Sequence, residues 1–222
     1  RRRLTWALAA VGLVVVLVLA TVAVLRPDAP QTDPSPAPTA APVSDEVRWV
    51  APAATGSGDG SAAADAADLS SLPRLVSDMP QGGRVLVIAD QGAYEVTERL
   101  ILDAGGVDGS PVVVEGVDGD GQPAPAVIRS DRASPYRADG DPGTDTFTVE
   151  QGASHLVFRN LALEDVGNAF RVAGDVEDLV VEDVTATNVR RFFENAASDD
   201  DASADVTDLT LRRITVTGFS KR

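Results

Sequence analysis

The sequence predicts an all-β fold in which parallel strands stack as a solenoid, because one pattern occurs three times in its last third. The copies begin at Leu156, Leu179 and Leu209, and each is apolar at offsets 0, 2, 5, 7 and 10 from that first Leu. Apolar residues at offsets 0 and 2 are typical of a short strand with one buried face. Polar residues follow at offsets 3 and 4, and the alternation then resumes at offsets 5 and 7. The copies start 23 and 30 residues apart, which suits solenoid circuits that bury their apolar faces by stacking.

Two other architectures place similar strands at such intervals. A βαβ fold needs a crossover helix of roughly a dozen residues, and residues 167–178 are too short and too rich in turn formers to supply one. An antiparallel meander would join its strands through Asn-Gly or Asp-Gly hairpins. The corners of the repeats are instead Arg159-Asn160, Glu182-Asp183 and Arg212-Arg213.

Parallel stacking of the copies predicts four interior columns and an aliphatic core. The columns are Leu156, Leu179 and Leu209; Phe158, Val181 and Leu211; Leu161, Val184 and Ile214; and Leu163, Ala186 and Val216. We expect Phe158 and Leu179 to be buried and Arg159 and Glu182 to be exposed. Offset 9 holds Asp165, Asn188 and Gly218, residue types that tolerate left-handed backbone.

The amino-terminal segment predicts a membrane span. Residues 1–3 are arginines, and residues 4–25 carry no charge. Twenty-two helical residues would measure about 33 Å, enough to cross a hydrocarbon core of roughly 30 Å. Three arginines before the span and one after it favour a cytoplasmic tail at residues 1–3 and an exported remainder, periplasmic or extracellular.

A cleavable signal peptide is the alternative for this segment, and its cleavage would make the protein secreted. A signal peptide has an apolar region of about 7 to 15 residues, which is shorter than this one. The small-residue site at Thr21-Val-Ala23 lies inside the apolar run. The consecutive arginines also resemble a twin-arginine export signal, although the segment is more hydrophobic than such signals are.

The composition of the chain leads to three further expectations. Residues 26–46 form a Pro- and Ala-rich linker, which we expect to be an extended stalk. The chain has no cysteine, so neither disulfides nor a thiolate zinc site holds it together. Its formal net charge of −15 makes nucleic acid an improbable partner and favours a solvated, soluble surface.

The folded part is predicted to cover residues 47–222. It opens with Val47-Arg-Trp-Val50 and a Gly-rich turn, and residues 62–79 then form a short helix interrupted by Pro73. Further strands are expected near Arg84-Val-Leu-Val-Ile-Ala89, Ser110-Pro-Val-Val-Val-Glu-Gly116 and Ala126-Val-Ile128. The helix would cap the amino-terminal end of the stack, where open strand edges invite association.

This order of segments resembles the opening of right-handed parallel β-helix proteins of the pectin-lyase-like superfamily. The resemblance rests on Thr55-Gly-Ser-Gly-Asp-Gly-Ser61, Gly82-Gly-Arg-Val-Leu-Val87 and Gly92-Ala-Tyr94, followed by the run from Phe147 into the repeats. It implies an extracytoplasmic protein that binds or processes polysaccharide, as a lyase or a hydrolase. A non-catalytic binding or surface-structural module is the alternative, because this superfamily holds both kinds.

The resemblance also implies that the catalytic coils lie further along the chain. No closing cap follows the third repeat, so we expect residues 47–222 to be the amino-terminal portion of a longer β-helix. A reading frame continuing beyond Arg222 would support this expectation, and a stop codon there would contradict it.

The sequence identifies no catalytic residue. Asp199, Asp200 and Asp201 lie in the residues that lengthen the second repeat, and adjacent carboxylates suit Ca²⁺, the one cofactor suggested. A solvated loop tip is the more ordinary interpretation of that run. Arg190-Arg191 and Arg212-Arg213 could bind sugar carboxylates or form surface ion pairs. His155, the sole histidine, has no evident Ser or Cys partner.

Overall fold

Parallel β-strands dominate the structure, a computed structural model that describes residues 44–137, 139–196 and 204–219. One α-helix, α1 (Leu72–Ser77), lies among these residues. The strands are β1 (Val47–Ala51), β2 (Ala67–Asp68), β3 (Arg84–Ile88), β4 (Tyr94–Glu95), β5 (Leu100–Leu102), β6 (Val112–Val117), β7 (Ala126–Arg129), β8 (Phe147–Val149), β9 (Leu156–Glu164), β10 (Asn168–Val172), β11 (Val176–Thr187), β12 (Arg191–Asn195) and β13 (Val206–Thr217).

The strands form two sheets, and every strand pair is parallel. The larger sheet has the order β13-β11-β9-β6-β3-β1-β2, with β7 beside β9 and β4 beside β7. The smaller sheet has the order β12-β10-β8-β5. The prediction of a mainly β fold with parallel strands is therefore confirmed.

The three sequence repeats pair with one another in the predicted register. Leu179 lies between Leu156 and Leu209, and Val181 lies between Phe158 and Leu211. The third and fourth columns are also present, at Leu161, Val184 and Ile214 and at Leu163, Ala186 and Val216. Phe158 and Leu179 are buried, as predicted.

Left-handed backbone marks three positions in each repeat. Asp165, Asn188 and Gly218 at offset 9 have φ angles of 54°, 51° and 63°, which confirms the expectation for that position. The same conformation occurs at the other corners of the repeats, at Asn160, Asp183, Arg213, His155, Asp178 and Asp208. Bends five residues apart let the chain change direction while the same side chains stay inside.

The predicted helix over residues 62–79 is wrong in extent. Ala67 and Asp68 form strand β2 and pair with Val50 and Ala51, so the segment cannot be helical throughout. Short 3₁₀ turns at Ala63–Asp65 and Leu69–Ser71 flank β2, and the α-helix begins only at Leu72. The apolar face of α1 still packs into the core through Leu72, Leu75 and Val76.

Two expectations about the repeats are corrected by their burial. Glu182 is 5% exposed, because Arg212 and Arg213 cover its carboxylate. Leu209 and Leu211 are 38% and 42% exposed, although the equivalent residues of the preceding repeats are buried. Strand β13 pairs with β11 alone among the described strands, so no neighbour covers these two leucines.

The core also departs from the aliphatic composition expected for it. Phe147, Phe158 and Phe170 are fully buried, and their ring centroids lie 4.9 to 5.3 Å apart. Phe192 extends the cluster at 5.6 Å from Phe170. Tilted and edge-on aromatic contacts at these distances add to the stabilisation that burial gives.

Order begins earlier than expected, and the membrane prediction cannot be compared with the structure. Ser44 donates its backbone N–H to Gln81 O, so the last residues of the predicted linker already contact the fold. Residues 1–3, the predicted span at 4–25 and the linker up to residue 43 lie outside the described residues. In the part of the chain that is described, no helix is long and apolar enough to cross a bilayer.

Candidate functional site

A shallow groove of about 530 Å³ lies where the smaller sheet begins. It is lined by Glu98, Arg99, Ile101, Gly143, Thr144 and Asp145. These residues meet because β5 and β8 are neighbours, with Leu100 opposite Phe147. Leu100 and Leu102 are buried while Ile101 between them is 43% exposed, so the strand alternation turns Ile101 away from the core.

A tight turn holds one wall of the groove. Gly143 has a φ of 83°, and a Cβ there would lie 2.7 Å from Arg132 Cβ, so only glycine fits. The backbone N–H of Thr144 donates to Asp131 Oδ1 at 3.0 Å. The hydrogen bond from the Ser130 hydroxyl, helped by those from Thr144, lowers the pKa of Asp131 below its ordinary value. An ionised Asp131 therefore fixes Thr144 at the groove.

Two carboxylates meet around Asn168 next to this wall. The Asn168 side-chain amide donates to Asp145 Oδ2 at 3.2 Å and to Glu194 Oε2 at 2.5 Å. Its backbone N–H donates to the other oxygen of Asp145 at 2.7 Å. Since both carboxylates contact one nitrogen, their bound oxygens lie within about 6 Å of each other, in the range of catalytic carboxyl pairs. Arg191 also pairs with Glu194 at 2.9 Å.

Parallel register explains why these three residues meet. Asn168 starts β10, and its neighbours across the sheet are the segment before β8 and Arg191 of β12. Asn168 is 1% exposed, and its Oδ1 has no hydrogen-bond partner among the described residues. The same holds for the buried hydroxyls of Thr146 and Thr148 on and beside β8. Polar groups are thus concentrated beside the groove.

The lining offers several modes of recognition at once. Glu98 and Asp145 accept hydrogen bonds, Arg99 donates them, Thr144 does both, and Ile101 supplies an apolar surface. A shallow site of this kind suits an extended ligand with many hydroxyl groups better than a compact apolar one.

The sequence did not single out any of the lining residues, and its own candidates lie elsewhere. Asp199, Asp200 and Asp201 fall outside the described residues. Within residues 44–137, 139–196 and 204–219, no group of three His, Cys, Asp or Glu could hold a metal ion. The Ca²⁺ site therefore stays a prediction.

The paired arginines serve mainly in ion pairs. Arg213 binds both Asp183, at 2.5 Å, and Glu182, at 2.8 Å, and Arg212 also binds Glu182. These contacts follow the ordinary surface-pairing interpretation for Arg212 and Arg213. Neither Arg190 nor Arg191 lines the groove.

His155 has a partner that its sequence neighbourhood does not reveal. Its Nδ1 lies 3.3 Å from Asp178 Oδ2, and both residues have left-handed backbone at equivalent positions of successive repeats. Ser154 beside it accepts the backbone N–H of Glu177 and is occupied in that bond. The His155–Asp178 pair therefore joins the start of β9 to β11.

Comparison with known proteins does not show a family for this chain. No family model matches the chain, and no curated protein matches it. One solved structure, a rhamnogalacturonan lyase, is similar with a TM-score of 0.43 and 12% sequence identity. The match covers 78% of this chain and 56% of that protein, so the chain spans just over half of its length.

Proposed function

We propose that residues 47–222 belong to a right-handed parallel β-helix of the pectin-lyase-like kind that binds an extracytoplasmic polysaccharide. The observation that carries the binding proposal is the groove lined by Glu98, Arg99, Thr144 and Asp145. A membrane span or cleavable signal at residues 4–25, as the sequence predicts, would place this domain outside the membrane.

The repeated register supports the β-helix. Three successive circuits bring equivalent residues into the same columns, and left-handed corners recur at the same offsets. A chain that returns to the same position every 23 to 30 residues, always with parallel pairing, stacks circuit upon circuit.

The charges of the groove favour a neutral polysaccharide. Two of its side chains are carboxylates and one is a guanidinium, and the whole chain carries a formal charge of −15. A polyuronate would be repelled over most of this surface and could use Arg99 alone in the groove. Sugar hydroxyls can donate to Glu98 and Asp145 and accept from Arg99.

Affinity electrophoresis of the full chain in detergent, through gels containing neutral or uronate-rich polysaccharides, tests the binding proposal. A neutral polysaccharide should retard the wild type, and Arg99→Gln should lower the affinity roughly tenfold, the effect of a lost charge-assisted hydrogen bond. Arg74→Gln is the matched control, because Arg74 is an exposed arginine on α1, outside the groove. Equal retardation of both variants, or none of the wild type, would contradict the proposal.

Hydrolysis is a second candidate function, favoured by the carboxylates of Asp145 and Glu194 around Asn168. At so short a separation one carboxyl group would protonate the glycosidic oxygen as the C–O bond breaks, and the other carboxylate would attack the anomeric carbon to form a glycosyl ester. Water would then hydrolyse that ester, with the first group taking the proton of the water. The assay is the release of reducing ends from the polysaccharide that binds. Turnover abolished by both Asp145→Asn and Glu194→Gln, with the fold intact by circular dichroism, would support hydrolysis.

Binding without turnover on every polysaccharide would instead favour the non-catalytic module. Products with the ultraviolet absorbance of an unsaturated uronate would indicate a lyase. Loss of that signal with a chelator would implicate a hard metal ion such as Ca²⁺, for which Asp199, Asp200 and Asp201 are the proposed ligands.

A further inference from the structure

A second, smaller pocket adjoins the groove. It has a volume of about 100 Å³, and Glu98 belongs to the lining of both cavities. The segment that carries Glu98 is held at both ends, because the backbone N–H of Val96 donates to Arg129 O at 2.7 Å and that of Leu100 donates to Thr146 O at 2.8 Å. Residues 97–99 between these two bonds are exposed. A ligand in the groove can therefore extend past Glu98 into the smaller pocket.

The lining of this pocket combines apolar and polar residues. Its buried members are all apolar, namely Leu69, Val96 and Leu100. Its exposed members are all polar, namely Ser70, Glu95, Thr97 and Glu98. The pocket thus offers an apolar inner side and an outer side with two carboxylates and two hydroxyl groups. A guest that fits it has a small apolar part and a hydrogen-bond donor.

The hydroxyl group of Ser70 is fixed as an acceptor for such a guest. It donates its hydrogen to Asp68 Oδ1 at 2.6 Å. This hydrogen bond, helped by those from Ser71, lowers the pKa of Asp68 below its ordinary value, so Asp68 is ionised at neutral pH. Because a hydroxyl group has one hydrogen, the Ser70 oxygen is left to accept a hydrogen bond from a guest.

The volume limits the guest to a few atoms. Liquid water occupies about 30 Å³ per molecule, so the pocket holds roughly three groups of that size. A sugar ring is much larger, whereas a hydroxymethyl group, –CH₂OH, has one carbon and one oxygen.

Charge and hydrogen bonding exclude two other substituents of the same size. A carboxylate would face both Glu95 and Glu98, with Arg129 as compensation 3.9 Å from Glu95. A methyl group would suit the apolar side, but it would cover the acceptors without donating to them, which costs free energy.

We propose that this pocket binds the primary hydroxyl group of a hexose unit whose polysaccharide chain occupies the groove. The inference rests on the proposed function and specifies its ligand as a neutral polymer of hexoses, not of pentoses or uronates. The methylene group contacts Leu69, Val96 and Leu100. The hydroxyl donates to Ser70 or Glu98 and accepts from Thr97.

Chemical derivatives of the ligand test the pocket without any variant. The parent is the neutral polysaccharide that binds the full chain best in affinity electrophoresis. In one derivative hydrogen replaces the primary hydroxyl groups, and in the other these groups are oxidised to carboxylates. The first should bind roughly tenfold more weakly than the parent, the effect of a lost hydrogen bond in a site that is built to form it. The second should bind more weakly still.

Variants of the protein assign this preference to the pocket. Ser70→Leu fills the pocket and should bind the parent and the deoxygenated derivative equally weakly. Ser77→Leu is the matched control, because Ser77 is an exposed serine on α1 outside both cavities, and it should keep the wild-type preference. Arg99→Gln should weaken the binding of both ligands and keep their ratio, since Arg99 lines the groove alone. Circular dichroism verifies the fold of each variant.

The outcomes separate this inference from the proposed function. If the wild type binds no neutral polysaccharide, the proposed function fails and the inference fails with it. If the wild type binds the parent and the deoxygenated derivative equally, the groove binds polysaccharide but the pocket does not recognise the hydroxyl. Tighter binding of a pentose polymer than of any hexose polymer would also overturn the inference, as would an unchanged preference in folded Ser70→Leu.

Discussion

Glu115 and Arg159 lie opposite each other on neighbouring parallel strands, and their side chains form an ion pair of 2.9 Å. Glu115 is 2% exposed and also accepts hydrogen bonds from Arg84 and Asn160. Its burial is tolerated because three donors replace the water that an ionised carboxylate needs. Two of these donors come from β9 and the third from β3, so Glu115 of β6 ties three neighbouring strands together.

Removal of this carboxylate should be costly. Glu115→Gln leaves two guanidinium groups without their shared counter-charge, and we expect the free energy of unfolding to fall by about 3 kcal/mol. Chemical denaturation measures this change. Glu95→Gln is the control, because the side chain of Glu95 is 64% exposed and lies 3.9 Å from Arg129. An equal loss of stability in both variants would show that the buried ion pairs of Glu115 stabilise the protein no more than an exposed pair does.

Stability should depend on pH through Glu182. The hydrogen bond from Arg212, followed by that from Arg213, lowers the pKa of Glu182 below its ordinary value of 4.5. A lowered folded-state pKa stabilises the protein above pH 4.5, and that stabilisation is lost as the pH falls through the folded-state pKa. The denaturant concentration at the unfolding midpoint should therefore decrease as the pH is lowered below 4.5. Glu182→Gln should make this decrease with pH less steep. An unchanged slope in the variant would contradict the assignment.

Backbone conformation at the corners gives a third prediction. Asp208 is exposed and has a φ of 57°, so a β-branched side chain is strained there. Asp208→Val should cost about 1 to 2 kcal/mol, whereas Asp208→Gly should be nearly neutral. Thr210→Val, at an ordinary strand position two residues later, controls for the loss of polarity. Urea denaturation that shows Asp208→Val as stable as wild type would contradict the left-handed corner.

The inward and outward faces of β11 should respond differently to charge. Val181 is 0% exposed, and Val181→Asp would bury an unpaired carboxylate, which should unfold the domain. Val180, its half-buried neighbour, points the other way, and Val180→Asp should fold. Circular dichroism of the two variants separates these outcomes, and similar spectra would refute the assigned faces.

The regular repeats were predictable because the alternation of apolar residues and the spacing of the copies can both be read directly from the sequence. The register of Leu156, Leu179 and Leu209 followed from counting residues. The exposure of Leu209 did not, because it depends on which strand lies beyond β13. Burial of Glu182 was missed for a related reason, since its partners Arg212 and Arg213 belong to the next repeat.

The groove was harder to foresee than the fold. Asp145 follows a long irregular segment after β7, where no repeat pattern sets its position. Asn168 and Glu194 lie beyond the offsets at which the copies agree, and they meet Asp145 only through the register of the smaller sheet. The prediction of the capping helix was wrong at Ala67, because strand pairing with Val50 outweighs the helix propensity of the alanine-rich sequence there.

The length of chain between neighbouring parallel strands varies in this fold. Leu156 lies 44 residues after Val112, its partner in β6, but only 23 before Leu179, its partner in β11. The longer of these two segments carries its additional residues mainly between β7 and β8, and the groove wall at Gly143, Thr144 and Asp145 belongs to that stretch. Insertion or deletion in that one loop can consequently change ligand preference without altering the strand columns that specify folding.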